Sequence, residues 1–146
     1  MHVGLLVHDQ NKENEFYRAL LGFRPYWYGG MQPGKTDFVS QQLPDGRDYL
    51  EYELIGGPLN SRGAANLSQR QPGDLNHFSV GVVNIARAYD TLKAANRLTP
   101  PDAVTRIACD GKWQLNVLDP DGTRLEYEEL SNVQPPCCSD FTQPNP

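Results

Sequence analysis

The sequence predicts an α+β domain built from two tandem βαβββ modules. Three pairs of short segments recur along the 146 residues in nearly the same register. Two pairs are offset by 75 residues: Leu50-Glu51-Tyr52-Glu53 with Leu125-Glu126-Tyr127-Glu128, and His2-Val3-Gly4-Leu5-Leu6-Val7 with His77-Phe78-Ser79-Val80-Gly81-Val82. The third pair, Pro44-Asp45-Gly46 with Pro120-Asp121-Gly122, is offset by 76 residues. Three landmarks that agree on one register indicate an internal repeat.

Each module opens with a short apolar run and continues with an amphipathic helix. The run 2–8 is rich in Val and Leu, which is typical of a buried strand. Asp9 or Asn11 can cap the first helix, and Gly22 ends it. Asn84 can cap the second helix, and Asn96 lies near its end. The apolar positions that share one face are Phe16, Tyr17, Leu20 and Leu21 in the first helix and Ile85, Ala88, Tyr89 and Leu92 in the second.

Three strand-like runs follow each helix. They cover residues 24–28, 37–42 and 48–55 in the first module and residues 103–108, 113–118 and 123–129 in the second. The last two runs of each module are joined by Pro-Asp-Gly turns. These turns place Gly46 and Gly122 where a hairpin needs a residue with positive φ.

We expect a single domain over residues 1–130, since a chain of this length can form one hydrophobic core. Its modules are residues 1–55 and 76–130, and a linker rich in Gly, Ser, Asn and Pro joins them over residues 56–75. The proline-rich segment 131–146 is predicted to be an irregular tail.

Composition excludes some classes of protein. The net charge of −5 offers no basic patch for nucleic acid, and no run of 18 apolar residues can cross a membrane. Three cysteines are too few for a disulfide scaffold, so we expect reduced thiols and a cytoplasmic protein. A disulfide between Cys109 and either Cys137 or Cys138 would instead indicate a secreted or periplasmic protein.

Two histidines and two glutamates occupy matching positions in the repeat. Glu51 shares a strand face with Tyr49 and Glu53, and a buried carboxylate must be paired or bind a metal. His2 precedes Glu51 by 49 residues, and His77 precedes Glu126 by the same distance. If a pseudo-twofold axis relates the modules, these four side chains converge on it. They suit one divalent ion such as Zn, Ni, Mn or Fe(II) and leave positions open for substrate oxygens.

The wider motifs resemble the vicinal-oxygen-chelate superfamily of glyoxalases, bleomycin-resistance proteins and extradiol dioxygenases. The resemblance covers nearly all of residues 1–130. It rests on His-Val-Gly-Leu-Leu-Val-His-Asp at 2–9, Glu15-Phe16-Tyr17-Arg18, Leu21-Gly22-Phe23, Asn76-His77-Phe78 and Asp-Pro-Asp-Gly-Thr-Arg-Leu-Glu at 119–126. It implies a half-open barrel that curls around a metal held by His2, Glu51, His77 and Glu126. Outside the motif, Glu53, Glu128 and Glu129 are expected to support the ligands or face solvent, and His8 is expected to be structural.

The resemblance also implies a chemistry. The metal would bind a small substrate through two neighbouring oxygens and stabilise an enolate or oxyanion. The two His and two Glu resemble the ligands of glyoxalase I, in which a glutamate ligand shuttles a proton. We therefore expect a metal-dependent lyase or isomerase with Glu51 and Glu126 as catalytic residues. The alternatives are an Fe(II) ring-cleaving dioxygenase, which would need only one of the glutamates, and a bleomycin-resistance type of protein that binds a ligand without chemistry.

Three further expectations concern the surroundings of the four candidate ligands. The aromatic residues Tyr26, Trp27, Tyr28 and Trp113 either line a pocket for a small-molecule substrate or pack inside the barrel. The superfamily implies a homodimer, and open sheet edges need covering. His2 directly follows Met1, where backbones fray, so either a longer natural N-terminus or neighbouring strands must hold this ligand.

Overall fold

One mixed sheet of eight strands forms the protein in a computed structural model, which describes residues 1–30, 34–55, 72–100 and 103–144. The strands are β1 (His2–Val7), β2 (Arg24–Gly29), β3 (Phe38–Gln42), β4 (Tyr49–Leu54), β5 (Leu75–Val82), β6 (Arg106–Ile107), β7 (Lys112–Leu118) and β8 (Arg124–Asn132). Their order across the sheet is β2-β3-β4-β1-β5-β8-β7-β6. The sheet curls into a half-barrel, and the predicted α+β fold of two βαβββ modules is confirmed.

A pseudo-twofold axis passes between β1 and β5, which pair antiparallel at the centre of the sheet. On either side, β1 pairs parallel with β4, and β5 pairs parallel with β8. His2 lies opposite Tyr49 in the first pair, and His77 lies opposite Arg124 in the second. Because both partners shift by 75 residues, the two histidines occupy equivalent strand positions. The register that the sequence predicts is confirmed.

The first helix differs from its prediction. Helix α1 (Gln10–Asn14) begins after Asp9, whose side chain accepts the backbone N–H groups of Asn11 and Lys12. A π-helical segment follows over Glu15–Leu20, in which the N–H of Leu21 reaches the carbonyl of Phe16, five residues back. The wider winding changes the angle between successive side chains. The predicted shared face is therefore wrong: only Tyr17 packs on the core, while Phe16, Leu20 and Leu21 are exposed.

The second helix forms as predicted. Helix α2 (Ile85–Ala94) begins at Asn84, whose side chain accepts the N–H of Arg87. The Glu129 carboxylate accepts the N–H of Ile85, which adds a second cap from the neighbouring strand. Asn96 has a positive φ of 53° where the helix ends. The buried Ile85 then packs with Ala103, Leu115 and Val117 between the helix and the sheet.

The two Pro-Asp-Gly turns differ in length. Gly122 has the predicted positive φ of 86°, whereas Gly46 does not adopt a positive φ. The first turn is closed by a bond from the N–H of Leu43 to the carbonyl of Asp48, five residues on. The second is closed by a bond from the N–H of Asp119 to the carbonyl of Thr123, four residues on. The first turn therefore has one residue more than the second, and a longer turn can close without a positive φ at its glycine.

Edges and tail complete the fold. The edge strand β6 has two residues, far fewer than the predicted run 103–108, and β8 continues to Asn132. Residues 133–144 form no helix or strand, and the N–H of Thr142 bonds to the carbonyl of Tyr26 on the opposite edge strand. Cys137 and Phe141 pack on the aromatic core there. Most of the predicted linker, residues 56–71, lies outside the described residues, so the domain boundaries stay a prediction.

No disulfide joins the three cysteines, and the cytoplasmic location stays a prediction. In the described part of the chain, no helix is both long and apolar enough to span a membrane.

Candidate metal centre

A pocket opens on the concave face of the sheet, with a cavity volume of about 120 Å³. All four predicted ligands line it: His2, Glu51, His77 and Glu126. The floor is polar, whereas Trp27, Phe38 and Ile107 lie among the remaining lining residues. The pocket spans the pseudo-twofold axis, and side chains from both modules line it.

The two histidines meet at the floor. His2 Nε2 lies 2.8 Å from His77 Nε2, and the side chains are only 2% and 1% exposed. Two imidazole nitrogens at this distance share a single hydrogen atom, because each neutral ring has one donor and one acceptor. The two Nε2 atoms thus face each other across the boundary between β1 and β5.

Glu126 is the carboxylate nearest to the two Nε2 atoms. Its Oε1 atom is 3.3 Å from His2 Nε2 and accepts no hydrogen bond from the described residues. Burial alone would raise the pKa of Glu126, but its contact with His2 and the nearby His77 outweigh burial and hold the pKa at about 2. The carboxylate is therefore ionised, buried and short of partners.

Glu51 occupies a different part of the pocket. Its half-buried side chain accepts a hydrogen bond from the hydroxyl of Ser40 at 3.0 Å. Burial, followed by repulsion from Glu53 and Glu126, raises the pKa of Glu51 to about 8. The Glu51 and Glu126 carboxyl groups thus have opposite pKa shifts although the repeat makes them equivalent.

The donor atoms fall into two overlapping groups, in each of which they lie within 4.8 Å of one another. One contains His2, His77 and Glu126, and the other contains Glu51, Glu53 and His77. A positively charged side chain already lies against the second group. Arg124 Nη2 is 3.0 Å from Glu53 Oε1 and 2.6 Å from His77 Nδ1. The first group has a Glu126 oxygen that accepts no hydrogen bond from the described residues, and its nitrogen and oxygen donors fit a borderline divalent ion.

Two glutamates for which the sequence left open a supporting role or a solvent-facing position lie at the site. Glu53 and Glu128 are 3% and 6% exposed, and each lies 3.6 Å from Nδ1 of the other module's histidine. Strand alternation could have revealed both, because they share a face with Glu51 and Glu126. Glu129 faces the other way and caps α2.

Cations accompany these carboxylates. Arg124 pairs with Glu53, and the fully buried Lys112 pairs with Glu128 and Asp110. Burial would lower the pKa of Lys112, but Glu128 and Asp110 raise it well above its usual value. Burial raises the pKa of Glu128 and Lys112 opposes this shift, so the ion pair with Lys112 favours the charged carboxylate. No sequence spacing predicts Lys112 or Arg124, since neither belongs to a repeated pair.

The aromatic residues divide between pocket and core. Trp27 lines the pocket, and Tyr26 packs below it in an aromatic cluster with Phe38 and Tyr49. Trp113 packs against the separate hydrophobic cluster under α2 that contains Ile85 and Leu115. Tyr28 is 49% exposed. Only Trp27, of the four predicted candidates, reaches the pocket.

Comparison with known proteins agrees with this architecture. A sequence model described as the Glyoxalase/Bleomycin resistance protein/Dioxygenase superfamily matches residues 1–127. A search of curated protein sequences finds no match.

Solved structures share the fold. Methylmalonyl-CoA epimerase from Mycobacterium tuberculosis is 16% identical with a TM-score of 0.66, covering 88% of this chain and 85% of the epimerase. A superfamily member from Vibrio splendidus 12B01 is 21% identical with a TM-score of 0.53, covering 87% and 95% of the two chains. A variant of homoprotocatechuate 2,3-dioxygenase from B. fuscum is 18% identical with a TM-score of 0.58, covering 87% of this chain and 32% of that one. At these identities the likeness concerns the fold alone.

Proposed function

The chain belongs to the glyoxalase/bleomycin resistance protein/dioxygenase superfamily, and from that premise we propose that it is a metal-dependent lyase or isomerase of the glyoxalase type. The observation that carries the proposal is the convergence of His2, His77 and Glu126 at the buried floor of a pocket. Burying two imidazoles and a carboxylate oxygen that accepts no hydrogen bond from the described residues is costly for a protein unless another group satisfies them.

In this proposal His2, His77 and Glu126 hold one divalent ion, and Glu51 is the fourth ligand in the same pocket. Zn, Ni, Mn and Fe(II) all suit this set of nitrogen and oxygen donors. When bound, such an ion acts as a Lewis acid that makes the C–H group beside a substrate carbonyl more acidic.

The two glutamates have different tasks in this proposal. Glu126 is 4% exposed and lies beside His2, which suits a permanent ligand. Glu51 is half-buried, lines the open pocket and is held by the hydroxyl of Ser40. We therefore assign proton removal from the substrate carbon to Glu51. The Ser40 hydroxyl can follow either oxygen of the carboxyl group as the proton arrives, since hydroxyl groups rotate freely.

The pocket suits a small substrate with an apolar part. Trp27, Phe38 and Ile107 supply apolar surface along the lining, and Arg106 lies beside Ile107 on the short edge strand. A small molecule with two neighbouring oxygens can place them towards the polar floor and its apolar part against these residues. The aromatic ring of Trp27 favours a flat or branched apolar group.

The test separates the two glutamates. Glu51→Gln should keep most of the metal but lower turnover by roughly 10²-fold or more, as expected for loss of a general base. Glu126→Gln should weaken metal binding as well as turnover, and His77→Ala should release the metal most completely. Glu15→Gln, on the exposed surface of the first helix, is the control that keeps both properties. Metal content by elemental analysis and a substrate panel measure the outcomes.

Three other results would contradict this proposal. Oxygen uptake by the Fe(II)-loaded protein with a catechol would favour a ring-cleaving dioxygenase. Full metal content in both Glu126→Gln and His77→Ala would contradict the site, and tight binding of a small ligand without turnover would favour a binding protein.

We also propose that the protein forms a homodimer. Val3 and Phe78 face each other across β1 and β5 on the convex side of the sheet, where they are 41% and 37% exposed. Met1, just before β1, adds exposed apolar surface. Contiguous apolar surface of this kind favours association. Sedimentation should give twice the mass of the chain at micromolar concentration, and a monomer over that range would contradict the proposal.

A further inference from the structure

A buried chain of polar groups runs from Lys112 to His2 behind the converging Nε2 atoms. Lys112 Nζ lies 3.4 Å from Glu128 Oε1, and the hydroxyl of Tyr49 donates to Glu128 Oε2 at 3.1 Å. Glu128 Oε2 in turn lies 3.6 Å from His2 Nδ1. None of these four residues is more than 6% exposed, so bulk solvent does not compete for their contacts.

The next feature is what surrounds the ring of His2, and its Nδ1 atom in particular. The ring stacks on Tyr49 with centroids 4.5 Å apart, which fixes its plane. No described residue forms a hydrogen bond with Nδ1, and the Glu128 carboxyl group is the charged group that faces it. A carboxylate oxygen accepts hydrogen bonds, so Glu128 favours the ring hydrogen on Nδ1. Glu126, 3.3 Å from Nε2, favours it on that atom as long as no metal ion lies between them. A metal ion at Nε2 removes this competition and leaves Nδ1 to carry the hydrogen.

His77 differs from His2 in this respect. Its Nδ1 atom lies 3.0 Å from Asn76 Oδ1, an acceptor, and 2.6 Å from Arg124 Nη2, a donor. Either tautomer of His77 therefore has a partner. The symmetry-related histidines are thus held differently. Nδ1 of His77 has both a donor and an acceptor beside it, whereas Nδ1 of His2 faces the carboxyl group of Glu128.

We propose that Glu128, held by Lys112 and Tyr49, keeps the ring hydrogen of His2 on Nδ1 and so leaves Nε2 available for the metal ion. This inference rests on the proposed metal site. Glu128 is a positioning residue that acts on the metal through His2. Carboxylates that accept the second ring N–H of a metal-binding histidine commonly change metal affinity by 10–100-fold when they are removed.

The substitution Glu128→Gln tests the tautomer directly. The ammonium group of Lys112 has only donors, so it would draw the oxygen of the new amide towards itself. The amide NH₂ group would then face His2 Nδ1, which must become an acceptor. The ring hydrogen would move to Nε2, the atom that should bind the metal. Glu128→Gln, which replaces one carboxylate oxygen by an NH₂ group of similar size, should therefore oppose metal binding.

The experiment uses Co²⁺ as the probe and measures its dissociation constant and visible spectrum. Glu128→Gln should weaken Co²⁺ binding by about 10–100-fold. Glu129→Gln, the neighbouring position on the same strand with its side chain on the helix side, should bind like the parent. Adding Lys112→Met to Glu128→Gln frees the amide to turn its oxygen towards His2, so the double variant should recover part of the lost affinity. A merely structural role predicts that the second substitution adds to the loss.

Three outcomes distinguish the hypotheses. If the parent binds Co²⁺ and Glu128→Gln binds it equally well, this inference is wrong while the proposed metal site stands. A double variant weaker than Glu128→Gln also overturns the inference. If the parent itself binds no Co²⁺ at its histidines, the proposed function fails and this inference with it.

A measurement on the parent avoids any dependence on variant folding. The chain has three histidines, so their side-chain ¹⁵N signals in the Zn²⁺-loaded protein can be assigned individually. We expect His2 to carry its hydrogen on Nδ1 and to bind Zn²⁺ through Nε2. A Zn²⁺ ion on Nδ1 of His2 would overturn the inference.

Discussion

Gly4 provides the space for the imidazole of His77. The two residues are partners across β1 and β5, and a Cβ atom at Gly4 would lie 2.3 Å from both Cε1 and Nδ1 of that ring. Real Cβ atoms do not approach other atoms so closely. Ser79, 75 residues later, occupies the equivalent place opposite His2 and does carry a side chain. The repeat is therefore asymmetric where one histidine must lie closer to the neighbouring backbone.

Gly4→Ala should displace the His77 ring and weaken metal binding by about tenfold or more, the scale on which loss of ligand orientation acts. The fold should survive, because the clash involves the end of a side chain in an open pocket. Ser79→Ala is the matched control, since it removes only a buried hydroxyl that forms no hydrogen bond with the described residues. Isothermal titration with Zn²⁺ measures both variants. Equal affinities for Gly4→Ala and the parent would show that His77 does not depend on this space.

The adjacent thiols of the tail provide a pH-dependent prediction. Cys137 Sγ lies 2.7 Å from Cys138 Sγ, and burial followed by this contact raises the pKa of Cys137 to about 12. Alkylating reagents attack the thiolate, so the rate at Cys137 should rise about tenfold per pH unit from pH 8 to pH 11. The exposed Cys138 should be modified first at pH 8. Mass spectrometry of the labelled peptide measures both sites, and equal rates at pH 8 would contradict the prediction.

At the scale of elements, strand alternation and the repeat predict most of the fold. They place Glu51 and Glu126 on the concave face because side chains in a strand alternate and β4 and β8 are equivalent. Helix α2 follows from its cap and its apolar spacing. The π-helical segment could not be predicted, since the sequence Glu15–Leu20 carries the apolar spacing of an ordinary helix.

The sequence predicts the four candidate ligands but leaves open whether Glu53 and Glu128 support them or face solvent. Glu53 and Glu128 each face the histidine of the other module, which depends on how closely β1 and β5 approach. Lys112 belongs to β7 and has no counterpart at the matching place of the repeat. Contacts of this kind are set by tertiary distances rather than by spacing along the chain. Tertiary contacts also hold His2 in place, although it is the second residue of the sequence.

His2 is held by its neighbours on both sides of the central strand. The N-terminal amine pairs with Asp48 at 2.7 Å, and the carbonyl of Met1 accepts the N–H of Tyr49 at 3.2 Å. Strand β1 itself lies between β4 and β5. Fraying is therefore opposed by backbone pairing on two sides as well as by the stacking of His2 on Tyr49.

The cap of α2 allows a test of stability apart from the site. Asn84→Ala should lower the free energy of unfolding by about 1 kcal/mol, because the N–H of Arg87 loses its acceptor. Asn84→Asp keeps a capping oxygen and is the matched control. Urea denaturation measures both, and metal affinity should not change because α2 packs on the side of the sheet away from the pocket. A loss of stability as large in the Asp variant would rule out capping as the cause.

At the scale of the whole molecule, the site joins the two modules. His2 belongs to the first module and reaches Glu126 and Glu128 of the second, while His77 of the second reaches Glu53 of the first. Neither module alone contains a complete set of ligands and supporting carboxylates. A cation bound here would therefore stabilise the pairing of β1 with β5 at the centre of the sheet.

This coupling predicts that a divalent ion stabilises the whole fold. At a free ion concentration of 100 times the dissociation constant, binding contributes about 2.7 kcal/mol, which should raise the Tm by about 5–10 °C for a chain of this size. His77→Ala should abolish the increase, whereas Glu15→Gln should retain it. Differential scanning calorimetry with Zn²⁺ and with EDTA measures the shift. An equal increase in His77→Ala would mean that the ion binds elsewhere, because no site that includes this histidine could then be responsible.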